Sequence, residues 1–373
     1  MTRPDRLIVL TAGGTGGHVF PAEALAAELL GRGHALALVT DRRGQAYGGT
    51  LGQLATHRIS AGGIAGRGVT ARVSAIAALG IGFLQARSLL KSLAPAAVVG
   101  FGGYASVPAM LAASLAGIPT LLHEQNAVLG RANRLLAPRA TRIATSFAQV
   151  SHIAPAWRGK VVHTGMPVRP ALIAQRGCDY PALSDDGPIH LLVLGGSQGA
   201  RVLSDVIPAA LASLPEGLRH RLKLSQQCRP EDLEGVRRAY EGTGIDTTLE
   251  SFFHDVPERL AAAHLVIARS GASTVAELTA LGRPSILVPY PHAIDDHQTA
   301  NAHALDDAGG GWLIPQTAFD AATLSARLLS LFTRPDSLTM AAACARTAGI
   351  PDAATRLADL VERLTSDTLE VVP

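Results

Sequence analysis

Two glycine turns constrain this chain more than anything else in it. Leu7 to Ala12 runs into Gly13-Gly14-Thr15-Gly16-Gly17-His18, and Leu191 to Leu194 runs into Gly195-Gly196-Ser197-Gln198-Gly199-Ala200. In both, a short apolar run leads into a hydroxyl residue flanked by glycines, and a segment of helical periodicity follows. A strand, a glycine turn and a helix N-terminus together make an anion site. Glycine lets the backbone approach a ligand, unpaired N–H groups point outward, and the helix dipole favours negative charge.

A second matched pair lies downstream. Ala97 to Phe101 leads into Gly102-Gly103-Tyr104-Ala105-Ser106 and later Gly117-Ile118-Pro119; Leu265 to Ala268 leads into Arg269-Ser270-Gly271-Ala272-Ser273-Thr274 and later Gly282-Arg283-Pro284. The helix after the first turn places Ala22, Leu25, Ala26 and Leu29 on one face, and its counterpart does the same with Leu203, Val206, Ile207 and Ala210. Strands alternating with helices predict two similar α/β halves with parallel sheets and right-handed crossovers. Ligands of such sheets bind at the carboxyl ends of the strands, where all four glycine turns fall, so an interdomain cleft is the expected site. Thr164 to Pro170, with Pro167, is the natural linker. Asp352 is placed to cap a last helix whose Leu357, Leu360, Val361 and Leu364 form one stripe able to pack on either half.

The 373 residues suffice for two cores, and 47% hydrophobic with 17% charged content excludes a disordered chain. Cys178, Cys228 and Cys344 lie far apart, which fits a reducing cytosol and offers neither a disulfide framework nor a zinc knuckle. The six apolar residues Leu7 to Ala12 are too short for a signal-peptide core and imply no export. Ser92 to Leu122 is free of charge but broken by Pro95, Gly100, Gly102, Gly103, Pro108, Gly117 and Pro119, which reads as strand, turn, helix and strand rather than a membrane span.

Net charge is +3, unevenly spread: no Asp or Glu occurs from Arg42 to His123, while Arg42, Arg43, Arg58, Arg67, Arg72, Arg87 and Lys91 are basic. Inside that stretch Val73 to Ala86, with Leu79, Ile81, Phe83 and Leu84, is an apolar run between Arg72 and Arg87. It is too short to span a bilayer. It suits the surface of an anionic membrane, and equally suits an ordinary buried helix with exposed arginines.

The chemistry-bearing motifs exclude several classes. Val19 stands where a dinucleotide fingerprint needs its third glycine, and no lysine follows either turn as a phosphate-binding Walker loop requires. Gly195-Gly196-Ser197-Gln198-Gly199 matches a nucleophile elbow, with Asp295, Asp296, His297 and His303 later in hydrolase order, but a hydrolase explains neither the turn at Gly13 nor that at Gly271. Ser197 is therefore read as a phosphate-binding hydroxyl. His292, Asp295, Asp296 and His297 fit no standard metal spacing, so no metal is expected and Arg169 is the candidate to meet diphosphate charge. His18, at a helix N-terminus that keeps imidazole neutral, and Glu124, at the carboxyl end of the strand Pro119 to Leu122, compete for a general base. The alternatives are a ligand-binding His18 that moves no proton and a Glu124 that only orients a neighbour.

These turns, with His123-Glu124-Gln125-Asn126, Arg269-Ser270-Gly271-Ala272 through Glu277, and Asp296-His297-Gln298-Thr299-Ala300-Asn301, stand in an order that resembles the MurG-type enzymes of glycosyltransferase family 28, from about residue 7 to 365. The resemblance implies a GT-B fold: two Rossmann-like α/β domains with parallel sheets facing an interdomain cleft. Residues 1–164 would form the acceptor- and membrane-facing domain, 170–345 the UDP-GlcNAc domain, and the helix at about 352–366 would return to the first. It implies inverting transfer of GlcNAc from UDP-GlcNAc to the C4 hydroxyl of MurNAc in undecaprenyl-diphosphate-MurNAc-pentapeptide, lipid I to lipid II, in peptidoglycan synthesis. UDP-GlcNAc 2-epimerases of the same fold are the alternative, and a serine hydrolase a distant one.

By motif, the donor would meet Thr15, Gly16, Gly17, Asn126, Arg169, Ser197, Gln298 and the segment Ala272, Ser273, Thr274, Val275, Ala276 and Glu277, with Glu277 on the ribose and the Phe253 backbone on uracil. The acceptor would meet Gly14, His18, Gly103 and Tyr104. The catalytic candidates remain His18 and Glu124. No cofactor is implied. The expected partners are the two substrates, an anionic membrane surface and other cell-wall synthesis and division proteins, not nucleic acid, with a peripheral location on the cytoplasmic face of the bacterial inner membrane. Where the resemblance implies aromatics in a membrane patch, this chain has Phe83 and small or aliphatic residues, with Ser114 beside the second helix, so attachment would lean on arginines.

Overall fold

The computed structural model describes residues 6–13, 16–41, 49–61, 69–181, 183–196 and 199–367. The chain divides into two compact units, Met1–Arg169 with Pro351–Pro373, and Pro170–Ile350.

In the first unit seven strands run β1 (Leu7–Thr11), β2 (Ala35–Asp41), β3 (Ala55–Ile59), β4 (Ala97–Gly100), β5 (Thr120–Glu124), β6 (Arg142–Thr145) and β7 (Val161–His163). They pair in parallel in the order β3-β2-β1-β4-β5-β6-β7. In the second, β8 (Ile189–Leu194), β9 (Leu222–Gln227), β10 (Asp246–Glu250), β11 (Leu265–Ala268), β12 (Ser285–Leu287) and β13 (Gly311–Leu313) repeat that order as β10-β9-β8-β11-β12-β13, again parallel. The matched sequence runs become β1 and β8 as one pair and β4 and β11 as the other, so that β1 lies beside β4 in one sheet and β8 beside β11 in the other, the neighbouring central strands at which strand order reverses. Sheets of this order hold ligands at that reversal, beyond the carboxyl ends. Both faces of the sheets are covered, which explains why the central strands are unbroken apolar runs rather than alternating ones.

The helix Gly16–Gly31 buries Ala22, Leu25, Ala26 and Leu29 completely against Ile8 and Leu10, and the chain turns out of it through Gly33 at φ +84°, with the His34 N–H returning to Leu29 O at 3.1 Å. Leu203, Ile207 and Ala210 of Arg201–Ala212 are likewise fully buried, with Val206 partly so. The last helix, Ala353–Asp367, settles the question its stripe leaves open. Leu357, Leu360, Val361 and Leu364 join the core of the first unit, and Asp359 and Glu362 receive Arg32 at 2.7 and 2.9 Å while Glu362 also meets His34 at 2.9 Å.

The apolar run Val73 to Ala86 is part of a 25-residue helix, Val69–Leu93, whose segment Ile76–Leu93 has the length and composition of a spanning helix, because Arg87 and Lys91 interrupt the hydropathy without ending the helix. It lies along Val107–Leu115. Ala86 and Leu90 are buried there and Gly82 sits against Ser60, while Ile76, Ile81 and Leu84 are 62%, 53% and 65% exposed and Arg87 and Lys91 stand outward beyond them. Arg58 is exposed as well; Arg42, Arg43 and Arg67 lie outside the described residues.

Candidate functional site

In the first unit the carboxyl ends of β1, β4 and β5 bring together the residues singled out from sequence. Gly13 follows β1 and packs so tightly on the second turn that a side-chain carbon there would fall 2.6 Å from Ala105 Cβ. Gly102 and Gly103 follow β4 with φ of +84° and +72°, a conformation only glycine adopts cheaply. His18 lies in the first turn of the helix Gly16–Gly31, and its ring rests on these glycines: a carbon added at Gly102 would come within 3.3 Å of His18 Cε1. Tyr104 is half-buried against the core beside them. Gly16 and Gly17 open the helix; Gly14 and Thr15 lie outside the described residues.

His18 Nδ1 is 3.2 Å from Gln125 Oε1. Gln125 is buried, and its Nε2 donates to Phe101 O at 2.8 Å and His123 O at 3.2 Å. His123 is fully buried, and that burial pushes its pKa down to about 4. Glu124 points elsewhere. Its Oε1 accepts from the Asn126 N–H at 3.0 Å and Asn126 Nδ2 at 3.4 Å, and its Oε2 accepts from the Gly130 N–H and Asn133 Nδ2, each at 2.8 Å. A buried carboxylate with four donors braces the loop that follows β5 and aims Asn126. Arg169 ends the unit with its guanidinium 5.2 Å over the Phe20 ring, half-buried.

In the second unit the first turn follows β8. Gly196 and Gly199 have φ of +81° and +69°, and Gln227 pins the turn by accepting the Gly195 N–H at 3.2 Å and donating to Gly196 O at 3.3 Å. Ser197 lies outside the described residues. The second turn follows β11 and enters the helix Ala272–Leu281 through Gly271. Ala272 and Val275 face the core, while Ser273 Oγ, at the second helical position, is buried with no hydrogen-bond partner among the described residues. Thr274, Ala276 and Glu277 occupy the next positions of the same helix. A buried hydroxyl among the N–H groups of a helix start is the donor set for a phosphate.

Gln298, in the helix His297–Asp306, accepts the Tyr290 N–H at 2.9 Å, and its carbonyl accepts Ser270 Oγ at 2.8 Å. Arg269, its pKa lowered by burial, locks the loop after β12 by donating to Val288 O and Pro289 O at 3.0 Å and to Gln316 Oε1 at 2.7 Å. Phe253, after β10, is buried, with Arg259 Cζ 4.3 Å over its ring. Among the described residues, the His, Asp and Glu ligand atoms within 4.8 Å of one another in a group of three belong to His303, Asp306 and Asp307, rather than to the run 292–297.

The sequence alone marks no role for Gln125, Asn133 or Gln227. The signal for Gln125 was strand alternation, which puts it two positions past His123 at the end of β5 and hence on the same face. Asn133 and Gln227 carry no local signal, since their partners are distant in the chain.

Two parallel α/β units of one strand order, each with glycine turns at the reversal, define the GT-B class. The chain matches the glycosyltransferase family 28 N-terminal domain over residues 8–145 and the C-terminal domain over 190–357. It is 69% identical over 361 residues, 97% of each chain, to the UDP-N-acetylglucosamine--N-acetylmuramyl-(pentapeptide) pyrophosphoryl-undecaprenol N-acetylglucosamine transferase of Paramagnetospirillum magneticum. It is 59% identical to the protein of that name from Rhodospirillum rubrum, over 98% of this chain and 94% of that one. The crystal structure of Acinetobacter baumannii MurG superposes with a TM-score of 0.78 at 30% identity, covering 96% of this chain and 100% of that one. A UDP-GlcNAc 2-epimerase from Neisseria meningitidis, at 13% identity and a TM-score of 0.64, shares the fold alone. The chain belongs to glycosyltransferase family 28 and is a hexosyltransferase.

Proposed function

We propose that this chain moves GlcNAc from UDP-GlcNAc to the C4 hydroxyl of MurNAc in undecaprenyl-diphosphate-MurNAc-pentapeptide, converting lipid I to lipid II. His18 is the base. It removes the hydroxyl proton as that oxygen attacks the anomeric carbon, the bond from that carbon to the diphosphate oxygen breaks, and UDP leaves with inversion. The observation that carries this reading is the His18 ring, held against the Gly102–Gly103 turn and hydrogen-bonded through Nδ1 to Gln125. Glu124, engaged by four donors, orients Asn126 instead.

The acceptor binds at Gly14, His18, Gly103 and Tyr104. The donor uses Thr15, Gly16, Gly17, Asn126 and Arg169 with Ser197, Gln298 and the segment Ala272 to Glu277, in which Glu277 takes the ribose, and the Phe253 backbone takes uracil. Helix N-termini and Arg169 stabilise the departing diphosphate without a metal. The protein works at the cytoplasmic face of the inner membrane, where the exposed apolar stripe of Val69–Leu93 and its basic end meet anionic lipid.

The test is UDP release coupled to a disaccharide product from UDP-GlcNAc and a short-chain lipid I analogue. Turnover of UDP-GlcNAc without disaccharide would overturn the assignment, as would loss of activity with a chelator. His18→Ala is expected to lower kcat by about 10²- to 10⁴-fold while donor affinity is kept.

A further inference from the structure

We propose that Gln125 sets the tautomer of His18, holding the proton on Nδ1 so that Nε2 carries the lone pair. The inference rests on His18 being the base, and it adds a positioning residue to that reading.

The direction of every bond in the chain of side chains is fixed by groups that cannot reverse. Carbonyl oxygens only accept, and the Gln125 amide places one terminal atom 2.8 Å from Phe101 O and 3.2 Å from His123 O. That atom must be the NH2 nitrogen, because an oxygen there would face two other acceptors. The opposite terminal atom, Oε1, therefore faces His18 Nδ1 at 3.2 Å, and an amide oxygen has no proton to give. Nδ1 must donate. A neutral imidazole has one N–H, so Nε2 is the basic nitrogen.

The far end agrees. His123 Nε2 lies 3.5 Å from Gly165 O, which makes Nε2 the protonated nitrogen of that ring and leaves Nδ1, 3.1 Å from the Gln125 NH2 group, to share with His123 O the N–H that Phe101 O does not take. Burial keeps His123 neutral at physiological pH, since a second ring proton would point at that NH2 group. Polarity thus runs one way, from His18 through Gln125 and His123 to the Gly165 carbonyl. Reversing the His18 tautomer sets a ring lone pair against the Gln125 oxygen. Gln125 is almost completely buried, so solvent offers no substitute partner.

Nitrogen-15 NMR of the full-length protein at neutral pH, with the His18 signals identified by their loss in His18→Ala, reads the tautomer directly. The expected result is an Nδ1–H tautomer for His18. An Nε2–H tautomer overturns the inference. Gln125→Leu removes the acceptor, and the expected outcome is a mixed tautomer with kcat lowered about ten-fold or more, toward the ~10⁴-fold a wrong histidine tautomer costs a serine protease, and KM for both substrates within about two-fold. A normal kcat in that variant also overturns it.

Should Gln125→Leu fail to fold, Gln125→Glu keeps an acceptor at Nδ1 while adding charge. Its acidic limb in the pH profile of kcat is expected to move upward, because a carboxylate beside the ring favours imidazolium; an unmoved limb counts against Gln125. Unchanged turnover in His18→Ala overturns the base assignment instead, and leaves the tautomer reading to be judged on the spectrum alone.

Discussion

At the residue scale, the buried histidine behind the site has a consequence for stability. His123 titrates at about 4 in the folded chain because burial disfavours its charged form, against an ordinary 6.5 once exposed by unfolding. Between those values the unfolded chain binds the extra proton. Stability is therefore complete above pH 6.5 and is lost as pH falls toward 4, by up to about 3 kcal/mol for a shift of this size. Urea unfolding followed across that range is expected to show the decline, and His123→Asn to flatten it. Glu124 acts differently: Glu124→Gln leaves two carboxylate-directed N–H bonds facing an NH2 group or an unfavourable rotamer. That change is expected to lower the melting temperature measurably and raise the donor KM through Asn126, with a smaller effect on kcat than His18→Ala.

At the scale of elements, the last helix contributes to the first unit what sequence-adjacent segments do not. Its stripe covers Leu25 and Leu29 while Arg32 ties Asp359 and Glu362 on the flank. The buried leucines dominate that energy, since each removes a full side chain from water, whereas partly exposed ion pairs contribute about 0–1 kcal/mol. Leu360→Ala is expected to cost about 2–5 kcal/mol and Arg32→Ala less than about 1, as read by chemical denaturation. Removing residues 351–373 uncovers the same core and is expected to unfold the first unit cooperatively. Among the described residues the core of the second unit draws on residues 180 to 338, none of them removed by the truncation, so calorimetry of the truncated chain should retain its transition.

For the whole molecule, a net charge of +3 conceals a strongly sided distribution. The acid-free stretch Arg42 to His123 lies entirely in the first unit, and within it one helix offers Ile76, Ile81 and Leu84 to solvent with Arg87 and Lys91 beyond them. Each basic residue near an anionic bilayer contributes about 1 kcal/mol, a term that salt screens, while the apolar residues contribute a term that salt does not weaken. Sedimentation with anionic vesicles is expected to fall steeply between low salt and about 1 M salt, and Leu84→Ser is expected to lower the fraction that remains bound. Persistence of full binding at high salt would show that the apolar stripe, not the arginines, dominates attachment.

The doubled glycine turns, the alternation of apolar runs with helical periodicity, and the positions of His18, Glu124 and the Ala272 to Glu277 segment were all legible in the chain. Each depends on neighbours within a few residues, where backbone sterics and side-chain period act. Legibility ended where partners are far apart in sequence. Periodicity gave the stripe on Ala353–Asp367 but not its partner, and the length of Val69–Leu93 was understated because charges within a helix resemble its end. The spacing of His123-Glu124-Gln125-Asn126 could not say which carboxylate oxygen meets Gly130 and Asn133, nor that Gln125 bridges two histidines. Those facts were decided by the folded sheet alone, because parallel strands bring the ends of β1, β4 and β5 to one edge, and burial there leaves each polar atom only the partners the backbone supplies.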